Sequence, residues 1–569
     1  MALRLGQRAR QATSGARHYG TDSSGPHVGI IGGGLTGLTT AYYLAKRLPR
    51  TTRLTVYEAS DRLGGWLQTE RVEGSGMGLE VGRELEGARI AFERGPRTLT
   101  SLRETTWRLD DLVLWDVAHG VGLEVVSPAD QARHVCYGDK LVKLPDAQGG
   151  YGRLAHPLFL GLAGAALHYG LGRLLHGRPR MPADDVSIAA WLRQLTGSDA
   201  VADRLASAMV HGIYGGDVDR LSARWVLEGA FVSTYMGRPP PGCCFMPAHE
   251  ADLLADLAPL PHVARLASRP HASLLHFGAA GIEALPQALA RALHAHPNVQ
   301  VRTGCRVDAI RRHESQQHLT LSLAGAKGQR QSQHHHRVVA ALDAASLLRA
   351  SATELPSLAA APSVSIMTVN LWYPQPQLNP RGFGYLIPRC QEPTNPERAL
   401  GVFFDSDVGL AGPAVGEPPA TKLFVLLGGH YYGGDESRGQ VQPPSAPQAV
   451  AQAKAVLERH LAIPRHTPCF AMARPAWNCI PQHTLGHGQR MRTAHHELHA
   501  AFGGRLTVAG GSYSRIGVMG ALRAGYDAAR RITDSAAATG LERFVDPDPL
   551  ANIVAVPKSK LAPVRALKP

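Results

Sequence analysis

The chain is 569 residues long and 44% hydrophobic; that length suits two to four domains and that apolar content supplies a sizeable core, which excludes a disordered or fibrous protein. Sixty lysines and arginines against 46 aspartates and glutamates give a formal charge of +14 at pH 7, which suits nucleic acid, an anionic membrane or an acidic substrate. The basic residues are spread rather than clustered and no nucleic-acid module is visible, so a membrane surface or a carboxylate substrate is favoured, and a merely solvated basic surface accounts for part of the excess. Seven cysteines, at 136, 243, 244, 305, 390, 469 and 479, form no C-x-x-C pair, so neither a disulfide framework nor a metal site is indicated.

Residues 1–21 carry Arg4, Arg8, Arg10 and Arg17 with no acid before Asp22 and no continuous apolar run. This is the composition of a mitochondrial transit peptide rather than a secretory signal; a basic tail without targeting function is the alternative. From His27 to Ala59 the chain reads strand, glycine turn, helix, turn and second strand. In the G-x-G-x-x-G pattern, Gly32 permits the tight turn, Gly34 lets backbone approach a pyrophosphate and Gly37 lets helix and strand pack closely. Gly33, Leu35 and Thr36 complete the turn and the helix start, whose free amide groups face phosphate. Glu58, followed by Ala59, stands at the end of the second strand, where an acid accepts the ribose hydroxyls of an adenosine.

Asp61-Arg62-Leu63-Gly64-Gly65-Trp66 follows, and this R-x-G-G after the acid resembles the flavoprotein family of amine oxidases and porphyrinogen oxidases. The resemblance implies FAD as cofactor, with Arg62, Gly65 and Trp66 beside it. Phe92-Glu93-Arg94-Gly95-Pro96-Arg97-Thr98 resembles the F-E-x-G-P-R-T turn of the protoporphyrinogen oxidase family, which implies flavin contacts for Gly95, Pro96, Arg97 and Thr98, with Arg97 bracing the turn. An insertion between Val72 and Arg89 departs from the family pattern. Residues 128–145 read as strand, turn and strand; by resemblance, Arg133 pairs with a propionate of the substrate, an exposed strand-edge arginine being the alternative.

Pro157 to Gly172 is the most apolar run, shorter than the roughly 20 residues that span a bilayer and flanked by Arg153, Arg173, Arg178 and Arg180. It reads as a helix lying in a membrane surface, as the resemblance implies, or as a buried core helix. A further helical stretch from Asp185 leads to Gly212, the position where the family's backbone approaches the tetrapyrrole; a helix C-terminus is the alternative. The chain then returns to the nucleotide domain with a helix opening at Phe277–Pro286 and a strand pair at 299–310, where the resemblance places Val307 against the adenine side of FAD. His334-His335-His336 reads as a polar loop between strands. Met367–Tyr373 and Gly382–Pro388 read as substrate-domain strands, with Leu371 and Ile387 as candidates for an apolar slot or for core. Leu506–Val518 reads as strand, glycine turn and helix start, a second helix N-terminus aimed at the flavin's pyrimidine side. Gly511, Ile516, Gly517 and Val518 match flavin-contacting positions there, whereas Arg515 stands where a glycine is usual. Residues 536–569 read as a loose tail.

The expected fold is α/β (α+β overall), with a discontinuous Rossmann-like FAD-binding domain (27–105, 270–345 and 500–535). A mixed-sheet substrate domain (106–145 and 346–499) and a helical membrane-associating domain (146–269) complete it. The resemblance implies oxidation of protoporphyrinogen IX to protoporphyrin IX in three two-electron steps, hydride passing to flavin N5 and oxygen giving hydrogen peroxide. It also implies peripheral attachment to the mitochondrial inner membrane, a homodimer and hand-over of product to ferrochelatase. No catalytic base is identified. The rival readings are another FAD oxidase acting on an amine or polyene, and a non-enzymatic GDI-like binding protein of the same fold.

Overall fold

The computed structural model describes residues 25–78, 87–145, 156–312, 317–325, 330–433, 440–534, 538–546, 548 and 550–566. The transit-peptide reading of residues 1–21 lies outside them, as does the middle of the 72–89 insertion. The strand His27–Ile31 sits at the centre of a five-stranded parallel sheet in the order Val299–Arg302, Arg53–Tyr57, His27–Ile31, Arg337–Ala340, Leu506–Val508. Its inner strands are buried on both faces, as a parallel sheet requires, so they read as apolar runs rather than alternations.

One face is covered by the helices Leu35–Arg47, Ala284–His294 and Gly517–Asp534, with Leu38, Tyr43, Leu289, Leu522 and Tyr526 in a shared core. The helix Asp110–Gly120, expected in the substrate domain, packs into this same core through Leu112, Val113 and Val117; its apolar residues run almost all round, a pattern that marks burial without saying by what. The other face carries the antiparallel sheet Cys305–Arg312, Leu319–Gly325, Arg330–His335 and the helix His487–Phe502. The histidine run is therefore not a loop. His335 ends a strand, fully buried, with its Nε2 3.0 Å from the Tyr57 hydroxyl.

The second unit is a seven-stranded mixed sheet in the order Phe470–Pro481, Ser363–Tyr373, Thr421–Gly429, Ala399–Phe404, Gly384–Leu386, Arg133–Tyr137, Lys140–Lys143. Only Gly384–Leu386 and Arg133–Tyr137 pair in parallel. Successive side chains point to opposite faces: Met367, Val369 and Leu371 pack under the helix Ala446–Leu461, while Asn370 and Trp372 turn to the hairpin Thr69–Glu73/Arg89–Glu93.

Eight helices between residues 157 and 268 form most of the third region. Pro157–His176 is 20 residues long, so the apolar run extends further than the sequence suggested and is long and apolar enough to cross a membrane. Its start is pinned by buried Leu158 and Phe159, whereas Leu167, Leu171, Leu174 and Leu175 project into solvent. The C-terminal segment is not a loose tail: Ile553–Pro557 pairs antiparallel with Cys243–Pro247, and the buried Arg565 guanidinium donates to Asp111 at 2.6 and 3.0 Å. Spaced singly among prolines and lysines, Val556, Leu561 and Val564 gave no periodic signal, yet all three are buried.

Candidate cofactor and substrate site

The glycine turn is built as its spacing requires. Gly32 has φ +102°, and a Cβ on Gly37 would lie 1.9 Å from the Gly32 carbonyl, so only glycine allows helix Leu35–Arg47 to start so close to the strand. Gly34 differs, since a Cβ there would meet nothing nearer than Gly65 Cα at 3.9 Å. It would instead fill an open cradle between the two glycine segments, which the bridge between Gly34 and Gly64 holds side by side. Glu58 closes this turn by accepting from the Gly33 amide at 2.7 Å, with its other oxygen held by the Ser60 amide at 2.9 Å. Arg62 donates to the carbonyl of Gly65 and, at 2.9 Å, to that of Leu63, which fixes the second glycine segment; Trp66 projects outward. Ala59 follows Glu58 in the chain, and the Glu58 carbonyl accepts from Cys305, placing the strand that carries Val307 beside the acid.

A second helix N-terminus lies beside the first. Ala521, in the first turns of Gly517–Asp534, accepts from the Thr36 hydroxyl at 3.2 Å, and a Cβ on Gly525 would stand 2.6 Å from the Thr36 carbonyl. Two sets of free amides thus open near one another, one at Gly34–Thr36 and one at Ile516–Val518, a donor arrangement that fits anionic phosphate at one end and an electron-rich ring at the other. Gly511, which starts the second turn, is held through its carbonyl by His483, whose Nε2–H donates at 2.9 Å. Sequence reading missed His483, because a lone histidine 28 residues before Gly511 carries no spacing signal.

Arg515 explains its own departure from glycine. Its guanidinium reaches Glu250 at 2.7 Å, Asp110 at 3.1 Å and Glu228 at 3.1 Å, and Arg523 shares Glu250 at 2.8 Å. Asp110 and Glu250 are wholly buried. Burial pushes the Glu250 carboxyl upward, but Arg523 and Arg515 together hold it well below the usual range.

Around Gly95-Pro96-Arg97-Thr98, the buried Arg97 donates to Asp405 at 2.9 Å and to the Gly95 carbonyl at 3.2 Å, with its guanidinium carbon 3.2 Å from the Phe424 ring centre. Desolvation lowers its pKa and Asp405 opposes that. Glu93 beside it accepts from the Ile282 amide at 2.9 Å and the Thr69 hydroxyl at 3.0 Å, and burial raises its pKa to about 7. A polar cavity of about 400 Å³, walled by Arg71, Arg89, Glu93, Asp405 and Glu417, adjoins this turn but not the glycine cradle.

The substrate candidates do not form one cluster. Arg133 is exposed at the start of its strand and donates to the Ser273 hydroxyl at 3.1 Å. That contact places it next to the segment that pairs with Leu99–Thr100, directly after Thr98. Gly212 lies inside the helix Ser207–Tyr214, where a Cβ would strike Leu386 at 2.5 Å; the helix ends instead at Gly215, with φ +55°. Leu371 and Ile387 are both buried in the core cluster that packs under helix Ala446–Leu461, which fits the core alternative. Alternation marks such residues as one-faced but cannot say which face meets the helix.

Three histidines brace these parts, His211 and His483 buried and His430 partly so. His211 Nδ1–H donates to the Ile387 carbonyl at 2.7 Å, His430 lies beside His211, and His483 holds Gly511. Burial depresses their pKa values to about 3, about 4 and about 4 from 6.5. Between the unfolded value and these depressed values the unfolded chain binds more protons, so stability is fully present above pH 6.5 and falls as pH drops toward 4. The expected slope is about 1.4 kcal/mol per pH unit for each such histidine. Urea midpoints measured between pH 7 and 5 check it, a flat profile counting against the assignment.

Residues 35–533 match the family of flavin containing amine oxidoreductases. The protoporphyrinogen oxidase of Schizosaccharomyces pombe is 28% identical over 526 residues, covering 89% of this chain and 98% of that protein. The protoporphyrinogen oxidase of Macaca fascicularis is 30% identical over 517 residues, covering 89% and 98%. In fold, the chain is similar to a protoporphyrinogen oxidase candidate from Exiguobacterium sp. 255-15, with TM-score 0.63 at 20% identity over 90% of this chain and 99% of that one. It also matches putrescine oxidase bound to putrescine, with TM-score 0.52 at 15% identity over 90% and 99%. Glycine cradle, paired helix starts and full-length similarity agree: the chain belongs to the flavin containing amine oxidoreductase family and, within it, with the protoporphyrinogen oxidases.

Proposed function

We propose that this protein is an FAD-dependent oxidase that converts protoporphyrinogen IX to protoporphyrin IX. The observation that carries the reading is similarity to protoporphyrinogen oxidases over nearly the whole of both chains, together with a cradle at Gly34 that the protein's own atoms leave open. Gly33–Thr36 would hold the pyrophosphate, Glu58 the adenosine ribose, and Ile516–Val518 the pyrimidine end of the ring. When bound, FAD supplies a hydride acceptor, with oxygen as the terminal oxidant. The chain's contribution is placement: Arg97, fixed by Asp405, holds the Gly95 turn rigid, and the porphyrinogen needs only its bridging carbon aligned and its carboxylates anchored. Purified protein should be yellow and should generate porphyrin fluorescence from porphyrinogen in air; a colourless protein would favour the GDI-like reading, and a yellow one inert on porphyrinogen the amine or polyene reading.

Arg133 is the proposed anchor for a propionate. A charge-assisted hydrogen bond contributes about 1.5–3 kcal/mol, so Arg133→Ala should lower kcat/KM by roughly 10- to 150-fold with flavin content unchanged. The methyl ester, with no charge to pair, should lose far less; equal losses on acid and ester would remove the anchoring role.

Attachment to the mitochondrial inner membrane is part of the proposal. Exposed Leu167, Leu171, Leu174 and Leu175, followed by Arg178 and Arg180, suit a helix seated in an anionic lipid surface. Residues 1–21 fused to a reporter should carry it into mitochondria, a cytosolic reporter refuting the targeting role. A homodimer, and hand-over of porphyrin to ferrochelatase, complete the proposal; sedimentation of the holoenzyme and co-purification with ferrochelatase test them.

A further inference from the structure

Far from the glycine cradle, three side chains of different chemistry converge at the rim of the seven-stranded sheet. Cys136 comes from the strand Arg133–Tyr137, Asp139 from the turn that follows it, and His460 from the end of helix Ala446–Leu461. The Cys136 Sγ to His460 Nε2 distance is 3.6 Å, and His460 Nε2 to Asp139 Oδ1 is 3.7 Å. All three donor atoms lie within 4.8 Å of one another. Sulfur, nitrogen and oxygen ligands at zinc bond lengths in a tetrahedron stand about 3.3–3.6 Å apart, so the two spacings to His460 are close to those of ligands about one ion, and the third pair lies within reach of it.

Hydrogen bonding alone leaves the group incomplete. The thiol can donate to His460, but Asp139 Oδ1 is buried with no hydrogen-bond partner, a costly state for a carboxylate oxygen. Asp139 follows Gly138 in the two-residue turn between Arg133–Tyr137 and Lys140–Lys143, with positive φ at both positions as such a hairpin requires, so the turn fixes its place beside the helix end. On the far side of the ring, His460 Nδ1 lies 3.1 Å from the Tyr385 hydroxyl. With Nδ1–H donating there, the Nε2 lone pair is directed at Cys136 and Asp139, the outer-shell support that metal-bound histidines ordinarily have.

We propose that Cys136, Asp139 and His460 form a binding site for a divalent, zinc-like cation that staples the hairpin to the helix. One thiolate and one carboxylate balance the dication, imidazole is the neutral third ligand, and water on the Asp139 side supplies the fourth. Binding replaces the thiol proton by the metal, so one proton leaves to solvent for each ion taken up.

The test uses FAD-loaded enzyme, dialysed against zinc and then against metal-free buffer. Expected are one retained zinc per chain, an X-ray absorption signature with one sulfur among nitrogen and oxygen neighbours, and a melting temperature that falls on chelation. Cys136→Ser should abolish the sulfur signature, and Asp139→Asn should weaken zinc affinity about 10- to 100-fold, both with unchanged flavin content. Asparagine tolerates the left-handed turn, so the second variant remains informative where the first disturbs the core. Retained zinc with only nitrogen and oxygen neighbours would mean adventitious binding by surface histidines and would overturn the proposal, as would wild-type affinity in both variants.

Discussion

Gly34→Val protein is expected to purify colourless. The substituted Cβ meets no protein atom nearer than 3.9 Å, so the fold has room for it and folding should survive. The space that valine fills is the approach to the Gly34–Thr36 amides, and two methyl groups there would separate phosphate from two donors. Charge-assisted hydrogen bonds contribute about 1.5–3 kcal/mol each, so loss of two would weaken FAD binding by roughly 10²- to 10⁴-fold. Flavin absorbance per mole of protein, with a circular dichroism spectrum as the folding control, reads the result. Full occupancy in a folded variant would mean that the phosphates lie elsewhere.

Arg515→Ala should be the most destabilising single change near the site. It removes one of the two arginines that hold the fully buried Glu250, and leaves the equally buried Asp110 to Arg108 at 2.6 Å and a longer contact with Arg523 at 3.6 Å. Stranding a buried charge costs about 3–5 kcal/mol, a large part of the 5–15 kcal/mol that holds a typical protein folded. Arg515→Lys should recover only part, because an ammonium cannot fork toward Glu250, Asp110 and Glu228 together. Denaturant midpoints of the flavin-free proteins separate this from cofactor effects. A loss under 1 kcal/mol would show that the network is solvated rather than dry.

The dinucleotide half was legible because its signals are local: apolar strand, glycine spacing and the acid at Glu58 lie within one short stretch, and each demands a specific backbone. What supports that half was not. Asp405 steadies Arg97, His483 steadies Gly511 and Glu250 steadies Arg515 from distances of 308, 28 and 265 residues along the chain, and no residue type marks itself as a partner across such gaps. The substrate side was open for a different reason. Leu371 obeys the two-residue alternation of its strand, and the period identifies a buried face without identifying the helix against which it is buried. The C-terminal segment was misread because its three buried apolar residues are too few to make a period.

The five strands of the central sheet enter in the spatial order of residues 299, 53, 27, 337 and 506. Its outer strand and the helix Gly517–Asp534 are thus supplied only when nine-tenths of the chain has been made, and Arg565 then closes on Asp111. The nucleotide turn at residue 34 is written first and finished last. Ring-closing pairings of such long sequence separation form slowly, and a nascent chain holds half a cradle. Coenzyme capture therefore waits on late-made elements: a chain cut before Gly517 lacks the second set of helix-start amides and should retain no flavin.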